Sequence, residues 1–295
     1  QPMTNTTAKT SAVMPSLPHI LIEEGVRAAL KEDLGRAGDL TTDATIGPDL
    51  SAKVSLVSRE AGRLCGVDFA RSSFALAGAG LAFEAFKKDG DVLAPGDEIA
   101  RVTGNARAIL SSERVALNYL CHLSGIATTT AKFADLIAHT KARICCTRKT
   151  TPGLRAFEKY AVRCGGGANH RFGLDDAVLI KDNHIAVCGS ITNAIEAARN
   201  YVGHLVVIEI EVDTLIQLEE ALAAGASTVL VDNFGINGLK EAVALNAGRA
   251  RIEASGGINI DTIKDVAETG VDYISSSKIT ISAPTLDIGL DVTLG

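Results

Sequence analysis

The sequence has few of the residues from which nucleic-acid-binding surfaces are built. Tryptophan is absent, aromatic residues make up 4% of the 295 residues, and the formal net charge is −6. Single strands bind through aromatic stacking in a basic groove, and duplexes bind to a broad basic surface. We therefore expect no nucleic-acid partner.

Long apolar runs are also missing from the sequence. No run approaches the roughly 20 residues that cross a bilayer. The first 18 residues are mostly polar and lack the apolar centre of a secretory signal. We expect no membrane association and a disordered leader over residues 1–18.

The six cysteines show no CxxC spacing. Zinc sites usually carry such pairs, so we do not expect one here. Cys145 and Cys146 are adjacent inside an apolar run, which is typical of reduced thiols that serve as small core residues. This usage of cysteine predicts a cytoplasmic location.

Two kinds of pattern divide the chain. Residues from about 52 to 103 form short alternating runs separated by turn signals such as "KDGDVLAPGDE", which predicts strands and tight turns. A helical pattern follows from about Ala106 to Thr140, and Ser124-Gly125 predicts a break between two helices. This helical segment marks the boundary between a small N-terminal domain and a second domain.

After that boundary, short β-branched runs alternate with amphipathic helices. The predicted strands are "ARICCT", "AVLI", "LVVIEIEV", "STVLV", "RIEAS" and "DYIS". Strands that alternate with helices indicate a parallel sheet, and the steady spacing favours an α/β barrel over a doubly wound sheet. Six strands are fewer than the eight of a complete barrel.

Polar side chains follow each of these strands. The groups are Arg148-Lys149, Lys181-Asp182-Asn183, Glu211 with Asp213, Asp232-Asn233, Ser255-Gly256-Gly257 and Ser275-Ser276-Ser277. Because the carboxyl ends of parallel barrel strands face one cavity, we expect these groups to form a single site.

The charges in this set differ in sign along the chain. Residues 143–181 contain eight Lys or Arg residues and three acidic residues, which predicts an anionic small-molecule ligand. Glu211 and Asp232 on the next strands suit hydroxyl groups or a hydrated Mg²⁺. The "SGG" turn before a helical pattern suits a phosphate. The combination indicates a phosphorylated sugar beside a second anionic substrate.

Several residues have structural interpretations that compete with a role in binding. Arg155, Lys159 and Arg163 lie at helical spacing, which predicts a solvent-exposed helix face. Glu209 shares a strand face with Glu211 and is predicted to belong to a buried ion pair. The three glycines of "RCGGGANHRFG" predict a flexible loop that allows His170 and Arg171 to turn toward an anion.

The segment "TRKTTPGLRAFEKYAVRCGGGANHRFGLDDAVLIKDNHI" closely resembles the quinolinate phosphoribosyltransferases, also called carboxylating nicotinate-nucleotide pyrophosphorylases. "IEIEVD", "VLVDNF", "EASGGI" and "VDYISSSKIT" extend the resemblance over nearly the whole chain. It implies an N-terminal α/β sandwich-like domain over 19–123 and an incomplete parallel α/β barrel over 124–282. It also implies that residues 283–295 return to the first domain.

The resemblance implies a reaction of NAD synthesis. Quinolinate and 5-phosphoribosyl-1-pyrophosphate react with Mg²⁺ present, giving nicotinate mononucleotide, pyrophosphate and CO₂. The implied quinolinate-binding residues are Arg148, His170, Arg171 and Lys181, together with Arg114 from the partner subunit of a homodimer. A larger assembly is also compatible with the resemblance.

The remaining implied roles concern the phosphoribosyl donor. Lys149 and Lys181 would face the pyrophosphate, and Glu211 and Asp232 would hold ribose hydroxyls and Mg²⁺, the latter through water. The 5-phosphate would lie on the residues of two turns. These are Ser255, Gly256, Gly257, Ser276 and Ser277. Ser277 departs from the family, which often has glycine there.

Three alternatives remain open at this point. A related phosphoribosyltransferase would act on another acid such as nicotinate. A Schiff-base aldolase would use Lys181 as its nucleophile and the SGG turn for a sugar phosphate. A non-catalytic metabolite-binding protein would leave the combination of acids, bases and cations unexplained.

Overall fold

The computed structural model describes residues 14–293. Most of the predicted leader, residues 1–13, lies outside the described residues, and residues 14–18 contain neither helix nor strand. Among residues 14–293, no helix combines the length and apolar character of a membrane span.

The helices of the described part of the chain are α1 (His19–Leu34), α2 (Leu40–Thr45), α3 (Val67–Ala77), α4 (Ala106–Leu136), α5 (Arg155–Cys164), α6 (Asp182–Cys188), α7 (Ile191–Tyr201), α8 (Leu215–Ala223), α9 (Ile236–Asn246) and α10 (Ile263–Ala267). The strands are β1 (Ser51–Ser58), β2 (Gly62–Arg63), β3 (Ala82–Ala85), β4 (Val92–Leu93), β5 (Glu98–Asn105), β6 (Arg143–Cys145), β7 (Val178–Ile180), β8 (Ile208–Val212), β9 (Thr228–Asp232), β10 (Arg251–Ser255), β11 (Tyr273–Ser275) and β12 (Ile288–Thr293). A 3₁₀ turn spans Ser277–Ile279.

Four strands form an antiparallel sheet in the order β12-β1-β5-β3. Alternate residues of the central strand β1, such as Val54 and Leu56, are fully buried against Phe74 of α3 and the first half of α4. Strand β12 pairs with β1, so Ile288–Thr293 joins the sheet formed by strands between residues 51 and 105.

Six strands form a parallel sheet in the order β6-β11-β10-β9-β8-β7. The six predicted strands and the incomplete α/β barrel are therefore confirmed. Strands β6 and β7 lie at the two edges. Beside β6, the loop residue Ala168 donates its N–H to Ile144 O at 2.8 Å and accepts from Cys146 N at 3.3 Å.

Helix α4 connects the two sheets and runs without interruption for 31 residues. The predicted break near Ser124-Gly125 is wrong. Gly125 is needed there because a Cβ atom on it would lie 2.0 Å from the carbonyl oxygen of Pro284. The glycine thus reflects close packing of the helix against the chain that leads to β12. The predicted domain boundary at 123/124 falls inside this helix and stays a prediction.

Gly125→Ala is expected to destabilise the protein by roughly 1–3 kcal/mol, because the added methyl group meets backbone atoms that cannot rotate away. In an exposed helix the same change ordinarily stabilises by about 1 kcal/mol. Urea unfolding measures the difference.

Gly238→Ala in α9 is the matched control, since its Cβ would meet only the Phe234 side chain at 3.1 Å. If both glycine variants changed the free energy of unfolding alike, close packing at Gly125 would not be the reason for the glycine.

Candidate active site

A cavity of about 440 Å³ opens at the carboxyl ends of the parallel strands. Its polar lining residues are Thr147, Arg148, Lys149, His170, Arg171, Lys181, Glu211, Asp232, Glu253, Ser255 and Ser275. The parallel sheet thus brings together side chains that are up to 128 positions apart in the sequence (Thr147 and Ser275).

A second cavity of about 330 Å³ adjoins the first and shares Thr147, Lys149, Asp232, Ser255 and Ser275 with it. Its other lining residues come from the two predicted phosphate turns and their neighbours. They are Asn233, Gly256, Gly257, Ile258, Ser276, Ser277 and Lys278. Every residue to which the resemblance assigns a role, except Arg114, therefore lines one of the two cavities, whereas Asp182, Asn183 and Asp213 of the predicted strand-end groups line neither. Arg114 lies exposed on α4 and lines neither of them.

The turn after β10 is shaped by its two glycines. Gly256 and Gly257 have φ angles of 100° and 63°, which side chains rarely tolerate. A Cβ on Gly256 would also lie 2.3 Å from Oδ1 of Asn233, the residue that follows β9. The turn therefore exposes bare backbone to the cavity, which suits close approach by an anion.

The turn after β11 has a different character. The Ser276 hydroxyl donates to Ile258 O at 3.0 Å and its N–H to Cys145 O at 3.2 Å, so both of its donors bond within the protein. Ser277 begins the 3₁₀ turn and does not have a positive φ. The serine at position 277 is therefore compatible with the backbone.

The glycine run at 165–167 packs tightly, so the prediction of a flexible loop is wrong. A Cβ on Gly165 would lie 2.4 Å from Ala127 O, and one on Gly167 would lie 2.7 Å from Cγ2 of Thr130. Both contacts are with α4. These glycines let the loop that carries His170 and Arg171 approach that helix closely.

Carboxylates from two neighbouring strands form one cluster, of which Glu211 and Asp232 line the first cavity. Carboxylate oxygens of Glu211, Asp213 and Asp232 lie within 4.8 Å of one another. Burial raises the pKa of Glu211. The charge of Lys181, 3.8 Å away, lowers this pKa, but the charges of Asp232 and other nearby acids raise it. A cluster of hard oxygen donors with mutual repulsion fits Mg²⁺. Asp213, missing from the predicted ligand set, follows β8 directly.

Cations line the same cavity. Burial, and then the charge of Arg148, lowers the pKa of Arg171. The Nε atom of Arg171 is buried and finds no hydrogen-bond acceptor among residues 14–293. An incoming carboxylate would reduce the repulsion between the two guanidinium groups.

Lys159 is buried, so the prediction of a solvent-exposed face fails at this position. Its side chain is 2% exposed, and its ammonium group lies under the loop that carries His170 and Arg171. Arg155, on the same helix, is partly exposed and donates to Thr150 Oγ1 and to the carbonyl oxygens of Arg148 and Phe172. Helical spacing alone did not distinguish these contacts from exposure to water.

The imidazole of His170 contacts two buried carboxylates. Its Nε2 lies 2.8 Å from Glu209 Oε2 and 3.6 Å from Glu253 Oε1. Burial lowers the pKa of His170, but the bond to Glu209 and both negative charges raise it more. Burial and the Glu209 charge raise the pKa of Glu253 to about 7. Glu253 was not predicted, although it lies two residues before Ser255 and therefore on the same strand face.

Glu253→Gln is expected to reduce the loss of stability between pH 5 and pH 8. The ordinary pKa of a glutamate is 4.5 and that of folded Glu253 is about 7, so the folded state retains a proton that the unfolded state loses. Stability therefore falls as pH rises through this window. We expect the wild type to lose on the order of 1–3 kcal/mol more than the variant, measured by urea unfolding at both pH values.

The exposed Glu241→Gln variant is the control for loss of a carboxylate and should follow the wild type. Equal losses in the Glu253→Gln variant and the wild type would show that Glu253 is already ionised at pH 5.

Comparisons with known proteins identify the family of this chain. Residues 39–124 match the N-terminal domain of quinolinate phosphoribosyl transferase and residues 126–291 match its C-terminal domain. A probable carboxylating nicotinate-nucleotide pyrophosphorylase of Bacillus subtilis is 44% identical over 276 residues, which are 94% of this chain and 95% of that protein. A Mycobacterium leprae carboxylating nicotinate-nucleotide pyrophosphorylase is 43% identical over 274 residues, covering 90% and 95% of the two chains.

Solved structures indicate the same family. The nicotinate-nucleotide pyrophosphorylase of Francisella tularensis superposes with a TM-score of 0.91 at 37% identity, covering 96% of this chain and 100% of that one. NadC of Streptococcus pyogenes also gives 0.91 at 43% identity, covering 95% and 100%. The chain therefore belongs to the quinolinate phosphoribosyl transferase family.

Proposed function

We propose that this protein transfers a phosphoribosyl group from 5-phosphoribosyl-1-pyrophosphate to quinolinate and releases pyrophosphate and CO₂, forming nicotinate mononucleotide for NAD synthesis. The observation that carries the proposal is the set of side chains that line the two adjoining cavities. One set of lining residues, the cationic side, is Arg148, His170, Arg171 and Lys181; the other is Glu211, Asp232 and the glycine turn, and the two meet where Lys181 lies 3.8 Å from Glu211. A dicarboxylate and a phosphorylated sugar fit these two sides.

The cationic side would bind quinolinate. Two guanidinium groups can each hold a carboxylate through paired hydrogen bonds and fix the plane of the ring. The pKa of His170 is raised by its bond to Glu209 and by the charges of Glu253 and Glu209, which favours the positively charged form that would attract the acid. Lys181 would contact the same acid from the end of β7.

The other side would bind the phosphoribosyl donor. Glu211 and Asp232 would accept hydrogen bonds from the ribose hydroxyls. With Asp213, they would also hold Mg²⁺, directly or through water. Mg²⁺, when bound, would neutralise charge on the pyrophosphate. Lys149 would contact the pyrophosphate, and the N–H groups of Ser255, Gly256 and Gly257, with those around Ser277, would hold the 5-phosphate.

The reaction then depends on bringing two anions together. The quinolinate ring nitrogen attacks the anomeric carbon, and the bond to pyrophosphate breaks with its electrons leaving on oxygen. Unit charges of like sign 4 Å apart repel by about 4 kcal/mol at intermediate dielectric. The fixed cations offset this repulsion and position the reactants. Loss of CO₂ leaves an electron pair on ring carbon 2, which the pyridinium stabilises until a proton replaces it.

The Schiff-base alternative has weaker support. The Lys181 ammonium is half-exposed and lies 3.8 Å from Glu211 Oε2. An imine-forming lysine is usually activated by an apolar pocket or a neighbouring cation. Borohydride trapping with a carbonyl substrate distinguishes the two, since our proposal requires no covalent adduct on Lys181.

We also propose a homodimer with shared sites. Arg114 is exposed on α4 and lines neither cavity of its own chain, so a partner subunit would have to bring it to a quinolinate site. We further propose a cytoplasmic location, because all six cysteines are free thiols.

The activity test is Mg²⁺-dependent formation of nicotinate mononucleotide and CO₂ from quinolinate, with nicotinate as the control acid. Arg171→Ala is expected to weaken quinolinate binding by about 10- to 100-fold, because charge-assisted hydrogen bonds are lost. Binding of the phosphoribosyl donor should change less than about twofold. Calorimetric titration of each ligand measures both effects, and equal losses would contradict the role of Arg171.

Mixing subunits tests the shared site. Dimers of an Arg114→Ala chain and a Lys181→Ala chain contain one intact site, so random mixing should restore about a quarter of wild-type activity. Mixing Arg171→Ala with Lys181→Ala is the control and should restore none, because both changes affect the same subunit's part of the site. Inactivity of both mixtures would argue against a contribution from Arg114 across the dimer.

A further inference from the structure

Lys159 is unusual among the lysines of residues 14–293 because it is buried. The side chain, on α5, is 2% exposed. Removing an ammonium from water is costly by several kcal/mol, and proteins usually compensate with a carboxylate partner. Among residues 14–293, no carboxylate forms an ion pair with Lys159.

The three N–H donors of this ammonium have three acceptors. Nζ lies 3.1 Å from His170 O, 3.0 Å from Arg171 O and 3.1 Å from Cys146 Sγ. The donors are thus satisfied by two consecutive backbone carbonyls and one thiol. The carbonyls belong to the two loop residues that line the cationic side of the cavity.

The loop itself has little regular structure to hold it. From Gly165 to Ala177 it contains neither helix nor strand, apart from the bridge of Ala168 to β6. Asp176 accepts from the N–H groups of Phe172 and Gly173 and fixes the far side of the loop. The backbone between these two fixed regions is bonded by Lys159.

We propose that Lys159 is a positioning residue for quinolinate binding. Its ammonium holds the His170 and Arg171 backbone so that both side chains line the cavity, and it places an unpaired positive charge beneath them. A neutral donor could make the same bonds without the cost of burying a charge. The charge therefore serves the anion site, where positive potential favours a dicarboxylate.

This inference rests on the proposed function, so wild-type turnover of quinolinate is measured first, and failure there would overturn the proposed function itself. Lys159→Met keeps the length and apolar stem of the side chain but removes the charge and the donors. We expect it to raise KM for quinolinate by about tenfold or more, with KM for the phosphoribosyl donor within about twofold. Lys159→Arg keeps charge and donors, and its KM for quinolinate should lie between those of the wild type and Lys159→Met.

Lys240→Met, which removes an exposed lysine from α9, is the matched control and should leave both KM values unchanged. Lys159→Gln, which keeps an N–H donor, is the second variant if Lys159→Met does not fold. Equal changes in both KM values, or no change in either, would overturn the proposal. It would also be overturned if neither neutral variant folded, since Lys159 would then be a requirement of the fold.

Discussion

Repulsion between like charges is the constraint on which the site depends. Arg148, Lys149, Arg171 and Lys181 line one cavity, with the Lys159 ammonium beneath them. Such a set is stable only where opposite charges are close or where water is available. Here Glu209 and Glu253 lie under His170, and Glu211 lies beside Lys181. The remaining positive charge is available to a ligand that carries two carboxylates.

The parallel sheet makes this arrangement possible. Side chains two residues apart on a strand share a face, so β8 places Glu209 in the buried layer and Glu211 at the mouth of the cavity. Strand β10 repeats the pattern with Glu253 and Ser255. One layer therefore adjusts the charge of His170, and the next layer faces the ligands. The residues that adjust the charge of His170 and those that face the ligands are therefore two positions apart on each strand.

The sequence was sufficient for the order of the elements and for most of the site. Six apolar runs with polar ends predict a parallel sheet and one shared cavity, because strand alternation and strand polarity are local properties. Lys159 and Gly165 were misinterpreted for a different reason. Their roles depend on contacts with the loop carbonyls and with α4, which no local pattern encodes. Glu253 could have been found, since the alternation that identified Glu209 applies equally to "RIEAS".

The most direct test of the division between the two cavities is a crystal structure with quinolinate bound. We expect its carboxylates to contact Arg148, His170, Arg171 and Lys181, with the ring nitrogen facing the side of Glu211 and Asp232. The turn of Ser255 to Gly257 should remain available to the phosphoribosyl donor. Quinolinate bound on that turn, with no contact to Arg171, would contradict the assignment of the acid to one cavity and the phosphate to the other.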